Sequence, residues 1–312
     1  MASNQPSVFI DGEAGTTGLG IRTRLEMIPG IELRGLPAAQ RKNPSARQDM
    51  MAACDLVVLC LPDDAAREAV ALAGALGADT PKLLDASTAH RVDPEWTYGF
   101  PEMSPDQPGQ IAVSGKVTNP GCYPTGAIGL LRPLIQAGLV PPDYPIAISA
   151  VSGYSGGGRS LIEAHDRDGG PAFELYALGL EHKHVPETEL YSGLKRRPIF
   201  VPSVGHFRQG MLVSVPLYLD DLPERPTGAD LREALCAFYE GSEYMKVMAG
   251  NGEDKLEPEA LNGTNRLELY VWANEARRHA VLVARLDNLG KGASGAAVQN
   301  LRLMLDLGPR PN

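Results

Sequence analysis

The first third of this 312-residue chain alternates short, unbroken apolar runs with stretches of helical periodicity. A strand that is apolar at consecutive positions must be buried on both faces, which requires a parallel sheet covered by helices on either side. The alternation therefore predicts a doubly wound α/β domain. The predicted strands are 8–10, 31–36, 55–61 and 82–85, and the predicted helices are 16–27 and 64–76.

The pattern changes near residue 145, where alternating β-branched positions become common and helical stretches become fewer. This change favours a second, α+β domain with a mainly antiparallel sheet. The last helical stretch, 293–307, is expected to return to the first domain, so that residues 1–121 and 292–312 form one domain and residues 122–291 the other. The second domain has predicted strands at 146–151, 199–201, 211–219, 267–273 and 279–286, and predicted helices at 160–166 and 230–239.

Charge and composition exclude several classes of protein. A net charge of −9 argues against a nucleic-acid partner, and no apolar run approaches the roughly 18 residues of a membrane span. Residues 1–5 lack a leader pattern, so a reducing cytoplasm is expected. No cysteine pair has zinc-site spacing, and no metal is expected. Cys54, Cys60 and Cys236 are predicted to be small buried apolar side chains.

A glycine-rich segment separates the first strand from the first helix. Gly12, Gly15 and Gly18 allow the backbone to approach a pyrophosphate, and Thr16 and Thr17 begin the helix whose amides would face it. We therefore predict a Rossmann-type dinucleotide-binding domain with these five residues at the cofactor. A glycine-rich turn without a ligand is the alternative.

The end of the second predicted strand lacks the acidic residue that usually binds the ribose of NAD. Arg41, Lys42 and Ser45 follow instead. A 2′-phosphate needs positive charge and hydroxyl donors, so these residues favour NADP over NAD. The alternative is a solvated basic loop.

Cys122 stands at the predicted start of a helix. Pro120 and Gly121 favour a turn, Pro124 is tolerated only in a first helical turn, and residues 127–136 have helical periodicity. A helix start stabilises a thiolate, and its amides can hold a tetrahedral oxyanion. Cys122 is thus the predicted nucleophile, with the Asn119 amide as a further oxyanion donor.

The segment 119–125, NPGCYPT, resembles the cysteine motif of N-acetyl-gamma-glutamyl-phosphate reductases, which belong to the semialdehyde dehydrogenase superfamily. The shorter, second type of that family is similar across nearly the whole chain. The resemblance implies a two-domain semialdehyde dehydrogenase-like fold and NADPH-dependent reduction of N-acetyl-L-glutamyl 5-phosphate to the 5-semialdehyde in arginine biosynthesis. The other similar segments are FIDGEAGTTGLGIRTRL, LCLPDDAAREA, LLDASTAHRV, YGFPE, KHVPE, VPSVGHFRQGM and DNLGKGASGAAVQN.

Thioester chemistry on Cys122 also needs a base. His206 lies in a polar connection between two predicted strands and is the first candidate. Longer members of the family carry their base histidine three positions earlier, where this chain has Ser203. His184 is the alternative base, with a structural role equally open, and His165 and His182 are expected at the surface.

The substrate implied by the resemblance carries a phosphate and a carboxylate, so cations should surround it. Arg159 follows a glycine-rich loop at a helix start, where amides can also bind an anion. Arg208, Arg91 and His184 are further candidates for substrate binding. The alternative for the glycine-rich loop is a turn at the domain junction.

Two other functions fit the same residues. The first is an aspartate-semialdehyde dehydrogenase, which would use the same cysteine chemistry on another acyl phosphate. The second is a redox sensor, which would have the same NADP-binding fold but would not turn over a substrate. The intact helix-start cysteine motif argues against the sensor. A homodimer or homotetramer is expected, with the nicotinamide ring across Cys122 at the domain cleft; the base and the oligomeric state stay open.

Overall fold

The computed structural model describes residues 5–249 and 254–308. Two predicted segments lie partly outside the described residues. Residues 1–4 belong to the N-terminal segment that was expected to lack a leader, and residues 309–312 belong to the predicted first domain. The chain forms two compact units. Unit 1 comprises the described residues up to Pro120 and those from Ala293 onward, and unit 2 is Gly121–Gly292.

The described strands are β1 (Ser7–Asp11), β2 (Glu32–Arg34), β3 (Leu56–Leu59), β4 (Lys82–Asp85), β5 (Thr97–Tyr98), β6 (Lys116–Thr118), β7 (Ala147–Gly153), β8 (Phe173–Leu175), β9 (Ile199–Gly205), β10 (Met211–Tyr218), β11 (Met245–Val247), β12 (Leu267–Asn274) and β13 (His279–Leu286). The described α-helices are α1 (Thr16–Leu25), α2 (Pro44–Ala52), α3 (Asp63–Gly74), α4 (Gln107–Val113), α5 (Cys122–Gln136), α6 (Gly158–Asp168), α7 (Val185–Ser192), α8 (Gly228–Phe238) and α9 (Gly295–Met304).

Unit 1 contains a parallel sheet in the order β2-β1-β3-β4-β6-β5. Successive strand residues point to opposite faces, and both faces are buried. Val8 and Ile10 pack in one apolar cluster with residues of α1 and α9, whereas Phe9 packs in another with residues of α2 and α3. The predicted doubly wound domain is confirmed. The strand order reverses beside β1, which is where ligands of such sheets bind.

Unit 2 contains a mixed sheet in the order β11-β12-β13-β10-β7-β9-β8. The pairs β11–β12 and β7–β9 are parallel and the others are antiparallel, so the prediction of a mainly antiparallel sheet is confirmed. Helix α5 packs on this sheet so closely that a Cβ on Gly126 would lie 2.9 Å from a methyl of Val213. Glycine at this position therefore allows α5 to lie directly on β10.

The sequence patterns placed most of these elements, with differences at their ends. Residues 82–85 and 279–286 are strands as predicted, whereas β9 continues four residues beyond its predicted end, to Gly205. Helix α2 was not predicted, although Asn43 before Pro44 caps it by accepting hydrogen bonds from the amides of Ser45 and Ala46. Helices α4 and α7 are too short to show a clear period. No helix within the described ranges has the length and apolar character needed to cross a membrane.

Candidate active site

The glycine segment of unit 1 forms a tight loop at the end of β1. Gly12 has φ +89°, and a Cβ there would lie 2.3 Å from the carbonyl oxygen of Cys60. A Cβ on Gly18 would lie 2.7 Å from the carbonyl oxygen of Gly12. Gly15 is the N-cap of α1, and no side-chain cap hydrogen bond is formed there among the described residues. The loop therefore brings backbone, rather than side chains, to the start of α1, where Thr16 and Thr17 form the first turn.

A cavity of about 100 Å³ lies beside this loop, and Arg41 forms part of its wall. The Arg41 guanidinium bonds the carboxylate of Glu13, which is inside the loop, and its Nε donates to the carbonyl of Leu36 at 3.2 Å. Lys42 and Ser45 are exposed on the turn that leads into α2. Of the three predicted phosphate-binding residues, the structure thus brings Arg41 to the glycine loop.

Two other predicted site residues also belong to unit 1. Asn119 is buried, its amide donates to the carbonyl of Ala293 at 3.0 Å, and its oxygen accepts from Asn300 at 3.3 Å. Arg91 is buried and donates to the carbonyl of Ala86 at 3.3 Å. Both side chains are held by contacts within their own unit, and their proposed roles at the substrate stay predictions.

Cys122 is the first residue of α5 and is half-buried. The preceding residue, Gly121, donates its amide to the carboxylate of Glu187 at 3.1 Å, and its carbonyl accepts from Thr125. On the other side, a Cβ on Gly292 would lie 2.8 Å from the Cβ of Cys122. The cysteine is therefore fixed between the start of α7 and a glycine that leaves it room. Its predicted place at a helix start is what the structure shows.

The other three cysteines lie in different surroundings. Burial raises the pKa of the Cys54 thiol to about 11 and that of the Cys60 thiol to about 12. Both thiols are therefore protonated at neutral pH and poor nucleophiles. Cys236 was predicted to be buried, and this prediction is wrong, because its position on α8 faces solvent.

A chain of hydrogen bonds runs beside Cys122. The amide of His184 donates to Nδ1 of His182 at 3.1 Å, so the proton of that neutral imidazole is on Nε2, 3.4 Å from the Tyr176 hydroxyl. Tyr176 donates to Tyr123 at 3.2 Å, and Tyr123 donates to the carbonyl of Ser203 at 3.0 Å. Burial raises the pKa of Tyr123 and raises that of Tyr176 to about 12. Both phenols are neutral hydrogen-bond donors at physiological pH.

His184, the alternative base, is part of the packing between α5 and α7. It precedes the first residue of α7, it is buried, and its carbonyl accepts from Thr188. Its ring lies 6.0 Å from the ring of Tyr123. The structure thus places His184 beside Tyr123, at the start of α7.

His206 lies in the connection between β9 and β10, as predicted, and is exposed. Its backbone amide donates to the carbonyl of Ala172 at 2.9 Å. Its Nδ1 lies 3.2 Å from Nδ1 of His165 on α6. His165 was expected at the surface, and this expectation is wrong: the residue is 5% exposed, because its ring stacks on Tyr154 at 4.4 Å.

The sheet of unit 2 brings several connections to one end. Strands β7 and β9 are parallel and finish together, at Gly153 and Gly205. Strand β10 starts and β13 ends at the same level, where Met211 pairs with Leu286. The segments that follow β7, β9 and β13 therefore emerge together, and the second of them carries His206.

The segment after β13 joins this end of the sheet to the start of α5. The Asn288 side chain donates to the hydroxyl of Ser155 at 3.0 Å and accepts from the amide of Gly210 at 2.8 Å. Four residues later, Gly292 packs against Cys122. One short segment thus contacts both Cys122 and the connection that carries His206.

Two predicted cations stand at the same end of unit 2. Arg159 is exposed on α6 and pairs with Glu163 at 2.6 Å. Arg208 is exposed two residues after His206, and its guanidinium lies 4.0 Å from the carboxylate of Asp166. Arg159 and Arg208 each pair with an exposed carboxylate on α6. Exposed ion pairs contribute little to stability, so an anionic ligand can replace these carboxylates at little cost.

The sequence interpretation missed Glu187, Tyr176 and the burial of His165. Glu187 was visible as the last residue of the KHVPE segment, and a charged side chain is rarely buried without a partner. Its partner, the amide of Gly121, lies 66 positions away and is known only from the fold. Tyr176 and His165 carry no local signal.

We predict that the four thiols react in a fixed order with iodoacetamide at pH 7.5. Cys122 reacts first because the helix start favours its thiolate, and Cys236 follows at the rate of an ordinary exposed thiol. Cys54 and Cys60 stay unmodified because their raised pKa values keep them protonated. Peptide mass spectrometry over time measures the order, with Cys122→Ser as the control. Faster modification of Cys236 than of Cys122 would contradict the prediction.

Comparison with known proteins identifies the family. Residues 13–111 match the model of a semialdehyde dehydrogenase NAD binding domain, and residues 122–288 match that of a semialdehyde dehydrogenase dimerisation domain. The fold is similar to that of aspartate semialdehyde dehydrogenase II from Vibrio cholerae (TM-score 0.72, 16% identity, 97% of this chain and 99% of that one). An aspartate semialdehyde dehydrogenase from Francisella tularensis has a TM-score of 0.74 at 15% identity, covering 96% of this chain and 100% of that one.

The relatives in sequence are much closer. N-acetyl-gamma-glutamyl-phosphate reductase from Burkholderia cenocepacia is 52% identical over 96% of this chain and 97% of its own length. A protein from Pseudomonas putida named N-acetyl-gamma-glutamyl-phosphate reductase 2 is 51% identical over the same shares. The resemblance found in the sequence motifs is confirmed, and the chain belongs to the N-acetyl-gamma-glutamyl-phosphate reductase family, with the fold of the semialdehyde dehydrogenases.

Proposed function

We propose that this protein reduces N-acetyl-L-glutamyl 5-phosphate to N-acetyl-L-glutamate 5-semialdehyde and inorganic phosphate, with NADPH as the reductant, in arginine biosynthesis. The observation that carries the proposal is the position of Cys122 as first residue of α5 in a chain about half identical to reductases of that name. A thiol nucleophile needs a reducing compartment, so the proposed location is the cytoplasm.

The residues of unit 2 divide the work between a nucleophile and a base. The Cys122 thiolate attacks the acyl carbon, and the carbon–oxygen bond to phosphate breaks, which leaves a thioester and inorganic phosphate. Bound NADPH supplies the hydride that reduces this thioester. His206 gives a proton to the oxygen of the resulting thiohemiacetal and takes it back as the carbon–sulfur bond breaks, which releases the aldehyde and restores the thiolate.

His206 is the better candidate for the base because it is exposed at the end of the sheet, whereas His184 is buried in the start of α7. Arg159 and Arg208 are proposed to attract the phosphate and carboxylate groups, since both are exposed at the same end. Arg91, His184 and the Asn119 amide remain proposed contacts to the substrate. The proposed cofactor domain is residues 1–121 with 292–312, and the proposed catalytic domain is 122–291.

Two alternatives, an aspartate-semialdehyde dehydrogenase and a redox sensor without turnover, are less well supported. The aspartate semialdehyde dehydrogenases share 14–16% identity with this chain, whereas the N-acetyl-gamma-glutamyl-phosphate reductases share about half of its residues. A sensor without turnover would not need the fixed thiol beside Glu187 and Gly292.

We expect the purified protein to form NADPH from N-acetyl-glutamate semialdehyde and NADP only when inorganic phosphate is present. Cys122→Ser should lower kcat on the order of 10³-fold or more, because the thioester cannot form. NADPH fluorescence should show that the variant still binds cofactor. Cys236→Ser, which changes an exposed cysteine on α8, serves as the control. Faster turnover of aspartate semialdehyde, or an active Cys122→Ser variant, would refute the assignment.

The choice of NADPH over NADH rests on Arg41, which lines the cavity beside the glycine loop. Lys42 and Ser45 are proposed to complete the 2′-phosphate site. Glu13 already offsets the charges of Arg22 and Arg41, so the loop is not repelled by its own cations.

Arg41→Ala should raise the KM for NADPH on the order of 10-fold and leave that for NADH unchanged, since one charge-assisted contact is lost. Steady-state kinetics with both cofactors measure the change. Arg302→Ala, at the end of α9, is the matched control because its guanidinium donates to the carbonyl of Gly308. An equal effect on both cofactors would assign Arg41 to the shape of the loop instead of the 2′-phosphate.

The second face of the unit 2 sheet, opposite α5, is proposed as the interface of a homodimer, which could pair further into a homotetramer. It forms an open groove of about 610 Å³. Val281 and Trp272 lie in the groove, and the edge strand β8 exposes Phe173 and Leu175 beside it. An apolar patch of this kind is rarely left to solvent in a stable protein.

Val281→Arg should convert the protein to monomers, because an unpaired charge in the interface costs several kcal/mol. Light scattering after gel filtration measures the mass, and circular dichroism verifies folding. Val113→Arg, on an exposed position of α4, is the matched control. A folded Val281→Arg protein with unchanged mass would place the interface elsewhere.

A further inference from the structure

His165 is a buried imidazole that directly contacts the proposed base. It is 5% exposed, and its Nδ1 lies 3.2 Å from Nδ1 of His206, which is hydrogen-bond distance. The two rings are nearly parallel, with an interplanar angle of 25° and 5.4 Å between centroids. None of the segments quoted from the sequence as similar to the family contains His165, and the chemistry derived above does not use it.

The surroundings of His165 hold its ring in one orientation. One face stacks on Tyr154 at 4.4 Å and 11°. The chain beyond α6 turns back over the ring so tightly that a Cβ on Gly170 would lie 2.2 Å from its Nδ1. Two residues later, the carbonyl of Ala172 accepts the backbone amide of His206. The same turn thus fixes His165 and the backbone of His206.

The number of protons between the His165 and His206 rings limits which nitrogen of each ring carries a hydrogen. Two Nδ1 atoms at this distance share one proton, so one ring donates and the other accepts. If His206 donates, its Nε2 keeps a lone pair, as a general base requires. The proton of His165 is then on Nε2, which is buried and has no hydrogen-bond partner among the described residues. Contact with His206 is therefore the polar interaction that orients the His165 ring.

We propose that His165 is a positioning residue whose Nδ1 accepts the Nδ1–H of His206, so that Nε2 of His206 is the atom that exchanges a proton with the substrate oxygen. This inference rests on the proposed role of His206. When His206 takes up that proton, it keeps its bond to His165, and the positive charge stays on His206. A neutral imidazole thus does what a carboxylate does for the histidine of a serine-protease triad.

Three variants separate positioning from packing. His165→Phe keeps a ring against Tyr154 but removes the acceptor, and we expect kcat to fall about 10- to 100-fold while the KM for the semialdehyde changes less than about 2-fold. His165→Asn places an amide oxygen near the position of Nδ1 and should recover most of the kcat. His279→Phe, at an exposed position of β13, is the matched control and should leave kcat unchanged. Melting temperatures verify that each variant folds.

The double variant tests whether His165 acts through His206. We expect His165→Phe/His206→Phe to be no slower than His206→Phe alone, because the second change removes the group that His165 orients. Nitrogen-15 NMR of labelled histidines gives a readout without turnover: His206 should be the Nδ1–H tautomer in the parent protein and lose that preference in His165→Phe.

Several results would overturn the inference. They are an unchanged kcat in folded His165→Phe, an Asn variant as slow as the Phe variant, multiplied losses in the double variant, or a His206 tautomer that does not depend on His165. Failure of the proposed function looks different. An active Cys122→Ser protein removes the thioester chemistry, whereas the tautomer of His206 in the NMR spectrum still reports whether His165 holds it.

Discussion

The structure of the site depends on how the first residue of α5 is held. A buried carboxylate, Glu187, accepts the amide of Gly121, and the backbone at Gly292 presses on Cys122 from another side. Charge-assisted bonds of a carboxylate to a backbone amide are stronger than neutral ones, and the absence of a Cβ at residue 292 allows the backbone there to pack directly against the cysteine. The thiol is thus positioned by backbone and by a second helix rather than by its own rotamer alone.

The sheet of unit 2 determines where the histidines and Tyr154 of the candidate site lie. Parallel pairing of β7 with β9 brings Tyr154 and His206 out at the same level, which is why His165 on α6 can contact both. In unit 1, the loop after β1 works by the opposite principle. There, the absence of side chains at Gly12 and Gly18 lets the backbone of the loop pack against the carbonyls of Cys60 and Gly12, and Arg41 bonds Glu13 within the loop.

Much of this could be predicted from the sequence, because the relevant signals are local. Unbroken apolar runs identify strands buried on both faces, and the sequence Pro-Gly-Cys-Tyr-Pro identifies a helix start, so the parallel sheet and the place of Cys122 followed from the residues. The partners of Cys122 did not. Glu187 and His165 are buried polar groups stabilised by atoms far away in the chain. Although Glu187 lies in the KHVPE segment, the residues around it and around His165 do not show that either side chain is buried. Their burial is decided by tertiary packing alone.

The row of donors from His182 through Tyr176 and Tyr123 to the carbonyl of Ser203 has a consequence for where protons can travel. Every hydrogen in it points the same way and ends on a carbonyl oxygen, and neither phenol gives up its proton in the range where cells live. The row therefore holds the aromatic side chains in place, and it ends on a carbonyl oxygen that cannot pass a proton on. The two phenols of this row therefore stay neutral, and their hydrogen bonds fix the ring that follows Cys122 against β9.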